Sequence, residues 1–249
     1  MYLIGDIGNT ETKIFLINER LKVINHKTIK TSLISFRYLY KNLIFLEQNK
    51  KKIKTILFSS VVPITYKILK KFIKKKIKKE CQELKQVNLK QFVKIKVNKK
   101  QIGSDRLANA IGLIDNKYNY IILDFGTATT FDVIIKNQYL GGIISPGVNL
   151  SLNTLVSNAS LINPVTLSKI SNVIGKNTKN AIRSGFYWGY LGLINNIIEI
   201  IIKQTNKKYK IVLTGGLSHL FHNSIKRKNK INKNLTINGI LKVAKRLNK

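Results

Sequence analysis

Two aspartates in this sequence each follow a short apolar run and precede a glycine turn. Asp6 and Gly8 come after the apolar N-terminal residues, and Asp124 and Gly126 come after the apolar run 120–123. Threonines follow both glycines at slightly different spacings. A carboxylate beside such a turn suits phosphate and cation chemistry, because glycine lets the backbone approach an anion closely and successive N–H groups form an anion nest.

Each Asp-x-Gly turn is predicted to join two strands of a hairpin. The apolar runs have the length of buried strands, and the segments after the turns are rich in β-branched and aromatic residues. Residues 1–30 are predicted to form three strands, and residues 118–144 repeat that pattern. A single such turn occurs in every fold class. Two copies that open the two halves of the chain indicate an internal duplication whose carboxylates face each other across a cleft.

A third acid, Asp105, is predicted to lie next to the start of a helix over 107–114. Ser104 is a candidate N-cap, and a carboxylate in the first turn is favourable for the helix dipole. Gly103 permits close approach of a ligand, and Arg106 places a permanent cation beside the acid. The residues alone therefore leave two interpretations open, a helix cap and a functional acid.

The rest of the chain alternates predicted strands and helices without a low-complexity linker. Further strands are expected at 54–59 and 209–214, and helices at 32–49, 64–79, 179–204 and 234–248. The glycine-bounded segment 141–147 and the basic segment 226–233 are expected to be loops, and the strand that ends at Gly215-Gly216 is a candidate nucleotide site. The expected domains are 1–117 and 118–249.

Composition favours a globular protein. The chain has 249 residues, 44% of them hydrophobic, and its single cysteine, Cys81, excludes an internal disulfide. No uninterrupted apolar stretch reaches the roughly 18–20 residues of a membrane-spanning helix. We therefore expect a cytoplasmic protein that does not associate with membranes.

The formal net charge of +34 permits two interpretations. A basic surface favours a nucleic-acid partner. However, the lysines are spread along the chain among many isoleucines and asparagines, and all three residue types have A/T-rich codons. A biased genome composition explains them, so we expect no nucleic-acid partner and a charge that raises the encounter rate with anionic nucleotides.

A series of motifs resembles, in the same order, those of the type III pantothenate kinase family. The motifs are Asp6-Ile-Gly-Asn-Thr-Glu-Thr-Lys13, Ser59-Ser-Val-Val-Pro63, Gly103-Ser-Asp-Arg106, Asp124-Phe-Gly-Thr-Ala-Thr-Thr-Phe-Asp132, Gly141-Gly-Ile-Ile-Ser-Pro-Gly147, Ile174-Gly-Lys-Asn-Thr178 and Thr214-Gly-Gly216. They cover nearly the whole chain. The resemblance implies an α/β fold of duplicated ribonuclease-H-like (actin-like ATPase) type, with two domains around a nucleotide cleft.

The resemblance also implies a reaction: transfer of the γ-phosphoryl group of ATP to the primary hydroxyl of pantothenate, the first step of coenzyme A synthesis. The chain has no Walker-type Gly-x-x-x-x-Gly-Lys-Ser/Thr loop, which disfavours a P-loop kinase. Phosphoryl transfer requires mainly positioning and charge neutralisation, which the aspartate turns, Lys13 and Arg106 suit.

The family's residue roles carry over onto matching positions. ATP phosphates would be held by Asp6, Ile7, Gly8, Asn9, Thr10, Glu11, Thr12 and Lys13. Asp6 would hold Mg²⁺ through water, Asp124 would ligate a monovalent cation (K⁺ or ammonium), and Thr127 would contact ATP. Pantothenate would be bound by Gly103, Ser104, Asp105, Arg106 and Thr178, with Asp105 as the catalytic base.

The family is typically a homodimer, and an aromatic cluster near Thr178, residues 186–190, fits a dimer contact as well as core packing. One segment departs from the family, which often has an Asn-Pro turn where this chain has Asn98-Lys99-Lys100. The pantothenate pocket wall is therefore expected to differ from that of the family at this segment. Other functions remain open: a transcriptional accessory protein, a nucleic-acid binder, and another sugar or small-alcohol kinase of the same fold.

Overall fold

The structure, a computed structural model, describes residues 1–247. It contains these strands and helices in chain order: β1 (Tyr2–Ile7), β2 (Glu11–Ile17), β3 (Val23–Lys30), α1 (Phe36–Asn42), α2 (Ile44–Asn49), β4 (Thr55–Ser60), α3 (Pro63–Ile77), β5 (Gln82–Glu83), β6 (Lys94–Ile95), α4 (Ser104–Leu113), β7 (Tyr120–Phe125), β8 (Ala128–Ile135), β9 (Gln138–Pro146), α5 (Val148–Asn158), α6 (Thr178–Thr205), β10 (Lys210–Gly215), α7 (Ser218–Phe221), β11 (Asn229–Ile231) and α8 (Leu235–Leu247).

The chain folds into two compact units. The first contains Met1–Ile114 and the C-terminal segment from Asn234, and the second is Asp115–Lys233. The sequence-based division into 1–117 and 118–249 differs at the C-terminus, because α8 packs on α4 of the first unit. Asn248, where the expected C-terminal helix ends, lies outside the described residues.

The packing of α8 on α4 is close. A Cβ atom built on Gly239 would lie 1.8 Å from the backbone oxygen of Ala108, so only glycine fits at this crossing. Leu235, Ile240 and Val243 are fully buried on the inner face of α8. An apolar helix face at the end of the chain therefore completes the core of the unit that the N-terminus begins.

Both units contain a sheet of the same topology. In the first unit the strand order is β3-β2-β1-β4-β5, with β1–β2 and β2–β3 antiparallel and β1–β4 and β4–β5 parallel. In the second unit β9-β8-β7-β10-β11 lie in the same order with the same directions. The internal duplication that the repeated hairpins predicted is therefore confirmed.

Helix α3 illustrates how the basic composition is accommodated. It begins at Pro63, and the missing N–H of proline costs nothing in the first turn of a helix. Its last residue is Ile77, and the capping residue Lys78 has the left-handed conformation (φ 59°). Its apolar residues, among them Leu69, Phe72 and Ile73, are buried in the core of the first unit. Lysines occupy the solvent side, which is the solvated face that the helical spacing predicted.

Three segments differ from the sequence-based expectation. The predicted helix 32–49 is interrupted at Leu43, which ends α1 with φ −114° and is itself buried. The expected loop 141–147 is mostly strand, because β9 continues to Pro146 along β8. The expected loop 226–233 contains β11, which needs only three residues to pair with β10.

Helix α6 is the longest element of the second unit. One side of α6 packs into the core of this unit through Tyr187, Leu191, Ile194 and Ile198. Trp188 is 36% exposed. By length and composition α6 could cross a bilayer, with 28% of its most apolar window buried. A single such helix is weak support for a membrane span, because long helices of soluble proteins pass the same criterion.

Candidate active site

The first Asp-x-Gly turn joins β1 to β2 and presents its tip to solvent. The Gly8 amide donates to the Glu11 carbonyl (3.0 Å), which closes the turn. Asn9, Thr10 and Glu11 are exposed at the tip, whereas the side chains of Ile7 and Thr12 are fully buried. Of the predicted phosphate-binding residues, Ile7 and Thr12 can therefore offer a ligand only their backbone groups.

A residue that sequence reasoning missed fixes this turn. Thr31 follows β3, and its hydroxyl donates to the Gly8 carbonyl (2.7 Å) while also lying 3.0 Å from the Thr12 hydroxyl. Its amide donates to the Thr10 carbonyl (2.9 Å). Thr31 is thus bonded to three points of the turn, which makes the tip a preorganised backbone surface. Nothing local in the sequence indicates this, because the contacts span about twenty residues of chain.

Asp6 lies between two polar residues of neighbouring strands. Lys13 is its partner in the antiparallel pair with β2, and Ser59 is its partner in the parallel pair with β4. Residues paired in this way present their side chains on the same face of the sheet. Ser59 is fully buried, and its hydroxyl has no hydrogen-bond partner in the described part of the chain. An unpaired buried hydroxyl is costly, so the surroundings of Asp6 suit a polar ligand.

Asp124 is surrounded by close backbone approaches in the second hairpin. Gly215 at the end of β10 has φ +84°, and a Cβ atom there would lie 2.6 Å from Asp124 Oδ1. A Cβ atom on Gly147 would lie 2.2 Å from the Thr127 carbonyl oxygen. Both positions require glycine, and the predicted Gly215-Gly216 site therefore meets the predicted Asp124 site at the ends of β7 and β10.

A hydroxyl lies opposite Asp124 as well. Thr130 is its partner in the antiparallel pair of β7 and β8, and the Thr130 Oγ1 atom is buried with no hydrogen-bond partner among residues 1–247. The neighbouring Thr129 is fully buried, and its Oγ1 atom likewise has no hydrogen-bond partner among residues 1–247. Because successive side chains of a strand point to opposite faces, only Thr130 shares a face with Asp124. Its hydroxyl and the Asp124 carboxylate are oxygen donors of the kind that hard cations prefer.

The third acid stands in the first turn of α4. Gly103, not Ser104, is the N-cap residue, so the candidate cap at Ser104 was wrong. The Arg106 amide donates to Asp105 Oδ1 (2.8 Å), and a Cβ atom on Gly103 would lie 2.4 Å from that oxygen. Burial raises the pKa of Asp105, and the hydrogen bond from Arg106 and the nearby positive charges only partly oppose the shift. Asp105 therefore combines a helix-start contact with the raised pKa of a buried base.

Thr178 is the first residue of α6 and belongs to the second unit. Its neighbour Asn177 caps the helix by accepting a hydrogen bond from the Asn180 amide (2.9 Å). Thr178 itself is exposed. In the aromatic cluster that follows, Tyr187 stacks on Phe221 in the core with ring centroids 5.8 Å apart. Phe186 and Tyr190 are partly buried against the same core, and Trp188 is exposed.

These features define a class of protein. Two copies of one sheet topology, each with an Asp-x-Gly hairpin, form the duplicated ribonuclease-H-like fold of actin-like ATPases and sugar kinases. Similar solved structures include an activator of the 2-hydroxyisocaproyl-CoA dehydratase from Clostridium difficile, with a TM-score of 0.55 at 11% identity over 99% of this chain and 95% of that one. A protein from Campylobacter jejuni described as a Baf family transcriptional activator gives a TM-score of 0.59 at 20% identity, covering 98% of each chain.

Within this class the chain belongs to the type III pantothenate kinase family. The family model matches residues 2–200. A type III pantothenate kinase from Pelagibacter ubique is 54% identical over 97% of this chain and 98% of its own length. Another, from a Sulfurihydrogenibium species, is 36% identical over 96% of this chain and 98% of its own. The family resemblance drawn from the sequence motifs is therefore confirmed.

Proposed function

We propose that this protein transfers the γ-phosphoryl group of ATP to the primary hydroxyl of pantothenate, the first step of coenzyme A synthesis. The observation that supports this reaction centre is the position of Asp105. It is a carboxylate with a raised pKa at a helix start, beside the fixed charge of Arg106. A base is most effective when its pKa approaches the working pH, and burial moves Asp105 in that direction.

In this proposal the two glycine turns and the start of α4 have separate tasks. The Gly8 amide closes the turn, the tip residues Asn9 and Thr10 offer backbone N–H groups to the ATP phosphates, and Lys13 adds a positive charge. Asp105 orients the pantothenate hydroxyl and accepts its proton as the oxygen bonds to the γ-phosphorus, while ADP leaves with the bonding electrons. Most of the catalysis then comes from positioning and charge neutralisation.

Mg²⁺ fits beside Asp6. Residues 1–247 contain no group of three or more His, Cys, Asp and Glu side chains that could hold a metal ion. Mg²⁺ nevertheless needs only one or two carboxylates when substrate phosphates and water supply the remaining ligands. Asp6 would hold the ion through water, and the ion would neutralise charge on the phosphates.

A monovalent cation fits beside Asp124. The uncommitted Thr130 hydroxyl and the Asp124 carboxylate supply oxygen ligands of the type that K⁺ accepts. Thr127 lies in the same turn and would contact ATP. The cation would balance the charge of Asp124 and leave the hairpin attractive to an anionic nucleotide.

Pantothenate-dependent ADP release tests this proposal. We expect release with ATP, Mg²⁺ and pantothenate in K⁺ or ammonium buffer, and a rate about tenfold lower in Na⁺ alone if the cation proposed beside Asp124 is K⁺ or ammonium. Thr130→Val, which removes the hydroxyl, is expected to raise the K⁺ concentration needed for half-maximal rate. Folded protein that releases no ADP in any salt would contradict the proposal and favour another acceptor alcohol.

We also propose that the protein is a homodimer formed through the second unit. Several of its apolar side chains are exposed, among them Leu161 (94%), Ile174 (86%) and Ile200 (52%). Exposed large apolar side chains are candidates for contact with a second copy of the chain. Only 28% of the most apolar window of α6 is buried, which is consistent with a second copy of the chain covering part of this helix.

Sedimentation velocity tests the dimer. Wild-type protein is expected to sediment as a dimer, and Trp188→Lys is expected to shift it toward monomer, because a charge in an apolar interface is desolvated at high cost. Asn223→Lys places the same charge on an exposed position of the second unit and serves as the control. A monomeric wild type at micromolar concentration would refute the proposed assembly.

A further inference from the structure

The backbone that leads into Gly103 has little rigidity of its own. Loop 98–103 (Asn98 to Gly103) contains no proline and no long regular element, only a 3-10 turn at Lys99–Gln101. The Asn98 side chain accepts from the Lys100 amide (3.0 Å), which closes that turn locally. Fixing a flexible backbone costs about 1–2 kcal/mol per residue, so further contacts are needed to hold one conformation.

Lys85 supplies such contacts from a different part of the first unit. Its ammonium group donates to the carbonyl oxygens of Lys100 (3.0 Å) and Ile102 (2.8 Å). One cation thus bridges two carbonyls that are two residues apart in the loop. Hydrogen bonds from a charged donor are roughly twice as strong as those between neutral groups.

Glu83 makes the matching contact with the start of α4. The Ser104 hydroxyl donates to Glu83 Oε1 at 2.5 Å, and the Lys85 amide donates to Glu83 Oε2 at 2.8 Å. Ser104 is 1% exposed, so its hydroxyl depends on this acceptor. Both carboxylate oxygens are therefore engaged, one with the helix start and one with the segment that carries Lys85.

The segment that holds both residues is itself anchored in the sheet. Glu83 is in β5, where it pairs with Phe58 of β4, and Leu84 between the two charged residues is fully buried. The charged side chains thus reach loop 98–103 and Ser104 from a rigid support. They enclose the stretch immediately before Asp105 on both sides of Gly103.

We propose that Glu83 and Lys85 are positioning residues that hold loop 98–103 and Ser104 in the conformation that binds pantothenate and aims Asp105. This inference rests on the proposed function, because pantothenate is the substrate only if that function is correct. Neither residue needs to contact the substrate. Glu83 acts through Ser104, and Lys85 acts through the loop carbonyls and through the effect of its charge on Asp105.

Steady-state kinetics with four variants tests the proposal. Lys85→Met keeps the length of the side chain and removes the donor, so the KM for pantothenate is expected to rise about tenfold while the KM for ATP stays within about twofold. Lys85→Arg retains several donors and is expected to stay within about threefold of wild type. Glu83→Gln keeps an acceptor for Ser104 without the charge and is expected to give an intermediate rise.

Lys90→Met is the matched control, since Lys90 is an exposed lysine a few residues further along the same segment. Hydrogen exchange supplies a readout that does not depend on activity: the amides of loop 98–103 are expected to exchange faster in Lys85→Met and at the wild-type rate in Lys90→Met. Unchanged exchange, or equal rises in KM for both substrates, would overturn the positioning role.

The two proposals fail differently in this experiment. If wild-type protein shows no pantothenate-dependent ADP release, the proposed function is wrong. The proposal that loop 98–103 binds pantothenate then fails as well. An active wild type together with an unchanged pantothenate KM in Lys85→Met would leave the function intact and overturn the positioning role alone.

Discussion

Asp105→Asn is expected to lower kcat for pantothenate phosphorylation by about 10²–10⁴-fold, the range that a positioned general base contributes. The asparagine oxygen can still accept the Arg106 amide that now bonds Asp105 Oδ1, so the helix start should be retained. The measurement is single-turnover ADP formation at saturating substrates. A variant with near wild-type turnover would reduce Asp105 to a helix cap.

The same substitution carries a second expectation for stability. Because burial raises the pKa of Asp105, the folded protein binds this proton more tightly than the unfolded chain does, and ionisation lowers stability as the pH rises through the folded pKa. Asp105→Asn cannot ionise. Its Tm at neutral pH should therefore exceed that of wild type, and the difference should vanish as the pH falls below the ordinary aspartate range.

Asp115→Asn is the control with the opposite sign. Burial acts to raise the pKa of Asp115, but hydrogen bonds from the Tyr120 hydroxyl and the Tyr118 and Lys117 amides outweigh it, and the pKa is lowered. Its carboxylate therefore stabilises the fold above the ordinary aspartate range and loses that effect as the pH falls. This variant should lose Tm at neutral pH while keeping activity.

Gly239→Ala is expected to destabilise the first unit by about 3 kcal/mol, the upper end of the range for overpacked cores. The added methyl group would lie 1.8 Å from the Ala108 carbonyl oxygen, a backbone atom that cannot move aside without shifting α4. Denaturant unfolding followed by circular dichroism measures the change. A midpoint close to wild type would show that α8 and α4 can separate without cost.

Gly192→Ala in α6 is the matched control. A Cβ atom there meets nothing within 4 Å, so only the intrinsic helix preference changes. Alanine is favoured over glycine inside a helix by about 1 kcal/mol. This variant should therefore be slightly more stable than wild type, and a loss of stability would point to an intermolecular contact at that surface.

The sequence predicted the hairpins well because their signals are local. The first predicted strand, 2–5, lies within β1, and the predicted strand 120–123 lies within β7. In both, a short apolar run ends at an aspartate and a glycine turn, and no competing pattern is present. The same local signals located Asp6 and Asp124, whereas Asp105 was singled out by a predicted helix start, its neighbours Gly103 and Arg106, and the family resemblance.

What the sequence did not predict depends on contacts between distant residues. Strands β5 and β11 are two and three residues long, and they exist because a neighbouring parallel strand completes their backbone hydrogen bonds. Such pairing leaves no periodicity in the sequence. Likewise, nothing near Glu83 indicates that its carboxylate accepts from Ser104, 21 residues away.

The membership of α8 was missed for a related reason. Its apolar face was visible in the sequence, but the partner for that face was not, so chain continuity suggested the second unit. Nothing in the local sequence around Gly239 indicates a close helix crossing. The structure gives it a physical role, since α4 approaches too closely for any side chain there.

The strand register of the two hairpins has one further consequence. Where β2 places the lysine Lys13 opposite Asp6, β8 places the hydroxyl of Thr130 opposite Asp124. On the proposed assignments, the first repeat places the positive charge of Lys13 beside its aspartate, whereas the second would bind a monovalent cation from solution. The two repeats would then respond differently to the medium, and the rate at which phosphorylated product forms would depend on the salt composition around the protein.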